Sequence, residues 1–226
     1  MNRLALSFLL IGLTLPAYVQ SRDIRSANLE PFRNGKSRPP ILVPTGATNL
    51  LSRGCAVTSS TPNPTQGTLS AITDGDKNAV WEDPTIVRLG TGIQWVQIDL
   101  GSTQHVCGVC IWRHHCLPQI YKDMIVRISS DPEFITDVTT VFNNDHDNSS
   151  CMGQGTDKEY VETPDGRPIP VPGIRARYVR VYSNGYTDSK ANCYTEIEVY
   201  GGTPASEETV PLQIEVPKSV FAKPYR

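Results

Sequence analysis

The sequence predicts an all-β chain built as an antiparallel sandwich or barrel. Segments such as Gln94–Leu100, Tyr178–Tyr182 and Ile197–Tyr200 alternate apolar and polar residues, as half-buried strands do. Turn residues separate the strand-like runs at Asp99/Gly101, Ser130-Asp131-Pro132, Asn143-Asn144-Asp145 and Asn184-Gly185. No long stretch carries the 3.6-residue period of an amphipathic helix, which argues against a Rossmann or other α/β enzyme scaffold. Several short strands with turns between them belong to sandwiches and barrels.

In chain order, residues 1–21 read as a secretory signal peptide. Arg3 gives the positive start, Leu4 to Leu15 the apolar run, and Val19 and Ser21 the small-residue rule for cleavage after Ser21. Ala17 is the second choice of cleavage site. The run is shorter than the roughly 20 apolar residues of a transmembrane helix. Residues 22–47 are polar and carry Pro31, Pro39, Pro40 and Pro44, an extended arm. A compact domain is expected over 48–202. In it, Val96, Ile98 and Leu100 form one apolar face, and Val106, Val109 and Ile111 another. Met124–Ile128, Val138–Phe142, Tyr178–Tyr182 and Ile197–Tyr200 supply further strands, and one short helical turn fits Asp131 to Ile135. Residues 203–226 are a proline-bearing tail in which Leu212–Val216 alternates; an edge strand and a disordered tail are both open readings.

With 21 Lys and Arg against 23 Asp and Glu, the formal charge of −2 leaves no basic excess for phosphates, so nucleic acid is not an expected partner. Six cysteines in an exported chain predict disulfides, although six allow fifteen pairings. One pairing is excluded. Cys107 and Cys110 share a strand-like run in which three residues span about 10 Å. A disulfide needs Cα atoms within about 7 Å. The same extended geometry argues against a zinc knuckle of Cys107, Cys110, His114 and Cys116.

Six landmarks, in order, resemble the discoidin domain, also called the coagulation-factor type C domain. They are Ala71–Asp76 with Trp81 after it, Trp95–Gly101, Val109–Trp112, Tyr121–Ser130, Ala176–Tyr182 and Thr195–Gly201. The resemblance covers residues 48–202, and Thr140–Ser150 is similar to a bacterial secreted subgroup. It implies a galactose-binding-like jelly-roll β-sandwich, with ligand-binding loops at one end, between the N-terminal arm and the C-terminal tail. It also implies a structural Ca²⁺ between the Asp74-Gly75-Asp76 turn and Glu196. Asn78 would add a side-chain oxygen, and the carbonyls of Ile72, Ala79 or Thr195 would complete a shell of six to eight oxygens.

A sugar site needs planar polar groups for hydroxyls and an aromatic face for the C–H side of the ring. Arg113, His114 and His115, where a strand runs into a loop, are candidates for the first. Asn184 and Tyr186, in the Asn184-Gly185-Tyr186 loop, complete the candidate site, with Tyr186 as the stacking face. Fucose-binding relatives carry an arginine at about the His114 position, and this chain departs from them there. Asn143–Asn148 places two aspartates around a histidine and reads as a polar loop whose side chains bond its own backbone. Asn148-Ser149-Ser150 is a formal N-glycosylation sequon.

No Ser/His/Asp triad, glycosidase carboxylate pair or His-rich metal centre stands out, so a non-catalytic protein is expected. The functional expectation is a secreted lectin-like protein that recognises glycans or glycoproteins of a cell surface or matrix. The alternative is a structural or protein-interaction module of an extracellular envelope or matrix. Lipid binding would need exposed apolar loop tips, and none is evident in the sequence.

Overall fold

The computed structural model describes residues 41–44, 49–77, 85–115, 119–162, 166–202 and 209–212. The expected signal peptide, Asn78 and Trp81 lie outside them. The strands run β1 (Ile41–Pro44), β2 (Asn49–Leu50), β3 (Ala56–Ser59), β4 (Val87–Thr91), β5 (Gln94–Trp112), β6 (Ile120–Tyr121) and β7 (Ile125–Ser129). They continue with β8 (Thr139–Asn143), β9 (Tyr160–Val161), β10 (Arg167–Ser183), β11 (Ala191–Tyr194), β12 (Glu196–Gly201) and β13 (Thr209–Leu212). Among the described residues the one regular helix is a 3₁₀ turn, Leu69–Thr73.

Two long strands organise the molecule. The runs expected as separate strands, Gln94–Leu100 and Val106–Trp112, are one 19-residue strand, β5, paired antiparallel with the 17-residue β10 from Arg167↔Ile111 to Ser183↔Gln94. Gly101 and Gly173, with φ of 78° and 71°, sit near the middle of this ribbon. Residues with a Cβ rarely adopt that backbone, so these glycines let both strands turn. The pairing register shifts beside them, at Pro170/Ile174 and Ala176/Tyr178.

The ribbon folds back on itself, and its two ends meet: Arg113 Nη1 donates to Ser183 Oγ at 3.1 Å. One half carries β3 on β5 and β7–β8 on β10, and the other carries β12–β2 on β5. Val96 and Ile98 from the first half and Val109 and Ile111 from the second share one buried core with Val179, Val181 and Ile197. The result is an antiparallel jelly-roll β-sandwich with a bend pole, at Gly101 and Gly173, and a loop pole, where the ribbon ends meet.

The N-terminal half of β10 was hidden in the sequence by Pro168, Pro170 and Pro172. β7 pairs only with Tyr178–Tyr182, so this half has β5 on one side and no strand of its sheet on the other. Prolines of one parity put their missing N–H groups on a single side, and the free edge tolerates that. Their neighbours Ile169 and Val171 point into the core.

Three further expectations change. Asp131 to Ile135 is a turn and not helical. Its Asp131 carboxylate accepts the backbone N–H groups of Glu133, Ile135 and Thr136, each at 2.9 Å, and those bonds hold its pKa near 2. The turn leaves Ile135 81% exposed, one apolar tip where the sequence suggested none. A single residue is far from a lipid-binding patch. Arm and tail also pair with each other, with β1 antiparallel to β13 from Ile41↔Leu212 to Pro44↔Thr209. The tail strand includes Leu212, and the rest of the alternating stretch, 213–216, lies outside the described residues.

No disulfide joins two of the described cysteines. Cys55, Cys107, Cys151 and Cys193 are thiols, and Cys107 and Cys110 stand on β5 as the extended run requires.

Candidate functional site

The candidate sugar-binding residues converge at the loop pole, but at greater depth than the sequence suggests. Arg113 is fully buried just past the end of β5. Its guanidinium lies 4.1 Å from the Tyr194 ring centroid, 4.4 Å from Tyr121 and 5.9 Å from Tyr160. Nη1 also donates to the Cys193 carbonyl at 3.0 Å, in addition to Ser183. A cation enclosed by ring faces is held by their quadrupoles and by dispersion. Arg113 is therefore a pin that joins β5 to β10 and β11, and it does not reach solvent.

His114 and His115 are 3% and 6% exposed. Burial, and then the charges of His115 and Arg88, lower the pKa of His114, so it is a neutral imidazole at neutral pH. The His115 Nδ1–H donates to the Arg113 carbonyl at 2.9 Å. Tyr186 is 3% exposed and packs 5.2 Å from the Tyr121 ring. It therefore offers no open stacking face. A bridge to Ser189 and another to Tyr121 pull its backbone inward, which the loop sequence does not announce.

Asn184 does stand at the surface. It is half-buried, and its Nδ2 donates to Asp123 Oδ2 at 2.8 Å. Asp123 carries no sequence signal of its own. It occupies a left-handed turn, φ 48°, between β6 and β7, and its carboxylate faces those of Asp145 and Asp147. One oxygen from each of the three lies within 4.8 Å of the others, the one such acidic group among the described residues. The Asn143–Asn148 motif was the sequence signal for two of its members.

The loop bonds itself, as its composition predicts. Asn144 Oδ1 accepts the Met124 N–H at 2.7 Å, and Asn143 Nδ2 donates to the Gly153 carbonyl at 2.9 Å. Buried Asp145 accepts the N–H groups of Ser149 and Ser150 at 3.1 and 2.9 Å. Burial pushes its pKa up, but the Ser150 and Ser149 hydrogen bonds outweigh that and hold it below the usual carboxylate range.

Of the expected calcium residues, Asp74, Asp76, Thr195 and Glu196 are described and occupy the same pole. Glu196, opposite Trp112 in the β12–β5 register, is 1% exposed, and one carboxylate oxygen accepts the Gly75 N–H at 3.0 Å. Burial drives its pKa up to about 8, and the charges of Glu198 and Asp74 push the same way. The neighbouring cation, Lys77, pairs with Glu198 at 2.6 Å and lies 4.8 Å from the Trp112 ring centroid. Thr195 Oγ1 is buried and has no hydrogen-bond partner among the described residues. A buried carboxylate among negative charges suits a divalent cation, so Glu196 and Asp74 fit one. The Asp76 N–H donates to Asp74 Oδ1 at 2.8 Å, which closes the turn and engages one of the Asp74 oxygens.

Fold and loop pole together define a discoidin-like module, a rigid sandwich that presents polar loops at one end. The F5/8 type C domain model matches residues 56–198, more than half of the chain, and the protein belongs to that family. Among solved structures, the chain is similar to the lectin-binding domain of lectinolysin, in a His-mutant form complexed with Lewis b. That match has 16% identity, a TM-score of 0.50, and covers 69% of this chain and 97% of that one. A chitosan-binding module from a Paenibacillus sp. IK-5 chitosanase/glucanase matches at 22% identity over 68% of this chain and 99% of that one, with a TM-score of 0.49. A family 89 glycoside hydrolase from Clostridium perfringens matches at 17% identity and a TM-score of 0.49. This chain covers 14% of its length, and 68% of this chain is matched. No curated protein matches the chain.

Proposed function

We propose that this protein is an exported, non-catalytic glycan-binding module that takes its ligand at the loop pole. The observation that carries the reading is the Asn184–Asp123 pair. A carboxamide and a carboxylate 2.8 Å apart stand half-buried on loops whose own hydrogen bonds fix them. Such groups accept and donate to sugar hydroxyls with little ordering cost. Exposed Asp147 and Thr187 flank them. Arg113, His114 and His115 act one layer below, as the packed floor that positions these loops. The complex of the lectinolysin domain with Lewis b supports the class of ligand.

Calcium belongs to the same reading. Asp74 and Glu196 would hold it, with the Thr195 carbonyl and Asn78 as further oxygens. The ion would neutralise the buried carboxylate and tie the Asp74 turn to β12. Affinity per site is expected to be weak, with avidity arising from several copies on one surface.

A glycan array with the mature protein, in calcium and in chelator, tests this. Binding to one glycan class that Asn184→Ala reduces at least tenfold is expected. A blank array with folded protein would leave the second reading, a protein-interaction module. The pairing of β1 from the arm with β13 from the tail favours that reading, since it builds a separate two-stranded ribbon beside β10.

A further inference from the structure

The bend pole, opposite the loops, holds a cavity of 320 Å³ lined by Asn49, Leu51, Thr103, Gln104, His105, Arg175 and Gly202. Its volume is at the lower end of the roughly 300–1,000 Å³ of small-ligand sites. The sequence singled out none of these residues. They come together because the ribbon bends here: β5 brings Thr103–His105, β10 brings Arg175, and the two chain crossings beside the bend add Asn49, Leu51 and Gly202.

The chemistry of the lining is one-sided. Arg175 and His105 are direct cross-strand partners, Arg175↔His105 in the register, and both line the cavity. Arg175 is exposed, and among the described residues no acidic side chain lines the cavity. This contrasts with Arg177 two residues on, whose Nε and Nη2 clamp Asp99 at 2.7 and 2.8 Å. The His105 Nδ1 is buried and makes no hydrogen bond among the described residues. Asn49, Gln104 and Thr103 add two carboxamides and a hydroxyl, and Leu51 supplies an apolar wall.

We propose that this cavity binds a small oxyanion, the carboxylate or sulfate group of an acidic sugar residue or a molecule of that size. A guanidinium fork matches the paired oxygens of such a group. The amides and hydroxyl suit neighbouring hydroxyls, and no ion pair among the described residues engages Arg175. The site is independent of the loop-pole reading, because it lies at the other end of the sandwich.

Calorimetric titration of the full chain with sodium glucuronate, sodium sulfate and glucose tests it. Saturable glucuronate binding that weakens at least tenfold in Arg175→Ala, less in Arg175→Lys and not in Lys158→Ala, an exposed lysine between β8 and β9 outside the cavity lining, is the expected result. Affinity should fall with added sodium chloride. Sulfate binding alone, with the same Arg175 dependence, would assign the site to sulfate rather than carboxylate groups. No saturable binding of either anion, equal binding of glucose, or wild-type affinity in Arg175→Ala would overturn the proposal. Arg175 is exposed, so its variants are expected to fold. His105→Phe, which keeps the ring volume, provides a second check through the same titration.

Discussion

Arg113 shows how depth changes the meaning of a residue. An arginine beside two histidines at a strand end looks like a ligand-facing group, yet its guanidinium is fully enclosed by Tyr121, Tyr160 and Tyr194. Removing it would leave a void lined by ring faces and free the Ser183 and Cys193 acceptors. Arg113→Ala is therefore expected to cost about 3 kcal/mol of stability. Urea unfolding measures this, and an unchanged midpoint would return Arg113 to the surface. Glu196 makes the complementary point for charge. Its folded pKa, about 8, lies above its ordinary 4.5. Between these values the unfolded chain is ionised while the folded one holds the proton, so stability falls as pH rises across that window. In chelator, the wild-type melting temperature should drop from pH 5 to pH 8, and Glu196→Gln should flatten the profile. Calcium should raise it most at the alkaline end; a flat wild-type profile would contradict the burial of this carboxylate.

At the scale of elements, the bend of the β5–β10 ribbon decides the architecture. Gly101 has φ 78°, and a Cβ there would meet nothing within 4 Å. Gly101→Ala thus isolates the backbone term, and a loss of about 1 kcal/mol in denaturant unfolding is expected. No loss would mean that the bend does not depend on glycine. The same ribbon shows what was legible in the sequence. Gln94–Leu100 was readable because its Val96, Ile98 and Leu100 face is buried while its other face is more open. The N-terminal half of β10 was not, because its prolines argue against a strand unless one edge is known to be free. Strand pairing partners, and with them the meeting of Arg113 and Ser183, are long-range facts with no local signal. Hence the landmarks define the sandwich, whereas no local signal marks Tyr186 as buried or brings Asp123 to Asp145 and Asp147.

The whole molecule is a sandwich with two chemically distinct poles. One carries carboxylates and carboxamides on self-bonded loops, and the other a cavity whose described lining includes Arg175 and no acidic side chain. The pairing of β1 with β13 brings arm and tail together as a ribbon beside β10, so the segments expected to flank the domain separately are joined. Membership of the F5/8 type C family fits a scaffold that holds loops still while their side chains vary. The central claim is that glycans bind at the loop pole. It is tested most directly by mapping amide chemical shifts of the labelled full chain during titration with the best ligand from the array. Shifts centred on Asn184, Asp123 and Asp147, and their loss in Asn184→Ala, are the predicted result. Shifts confined to the bend pole or to the arm–tail ribbon, with the loop pole silent, would contradict it.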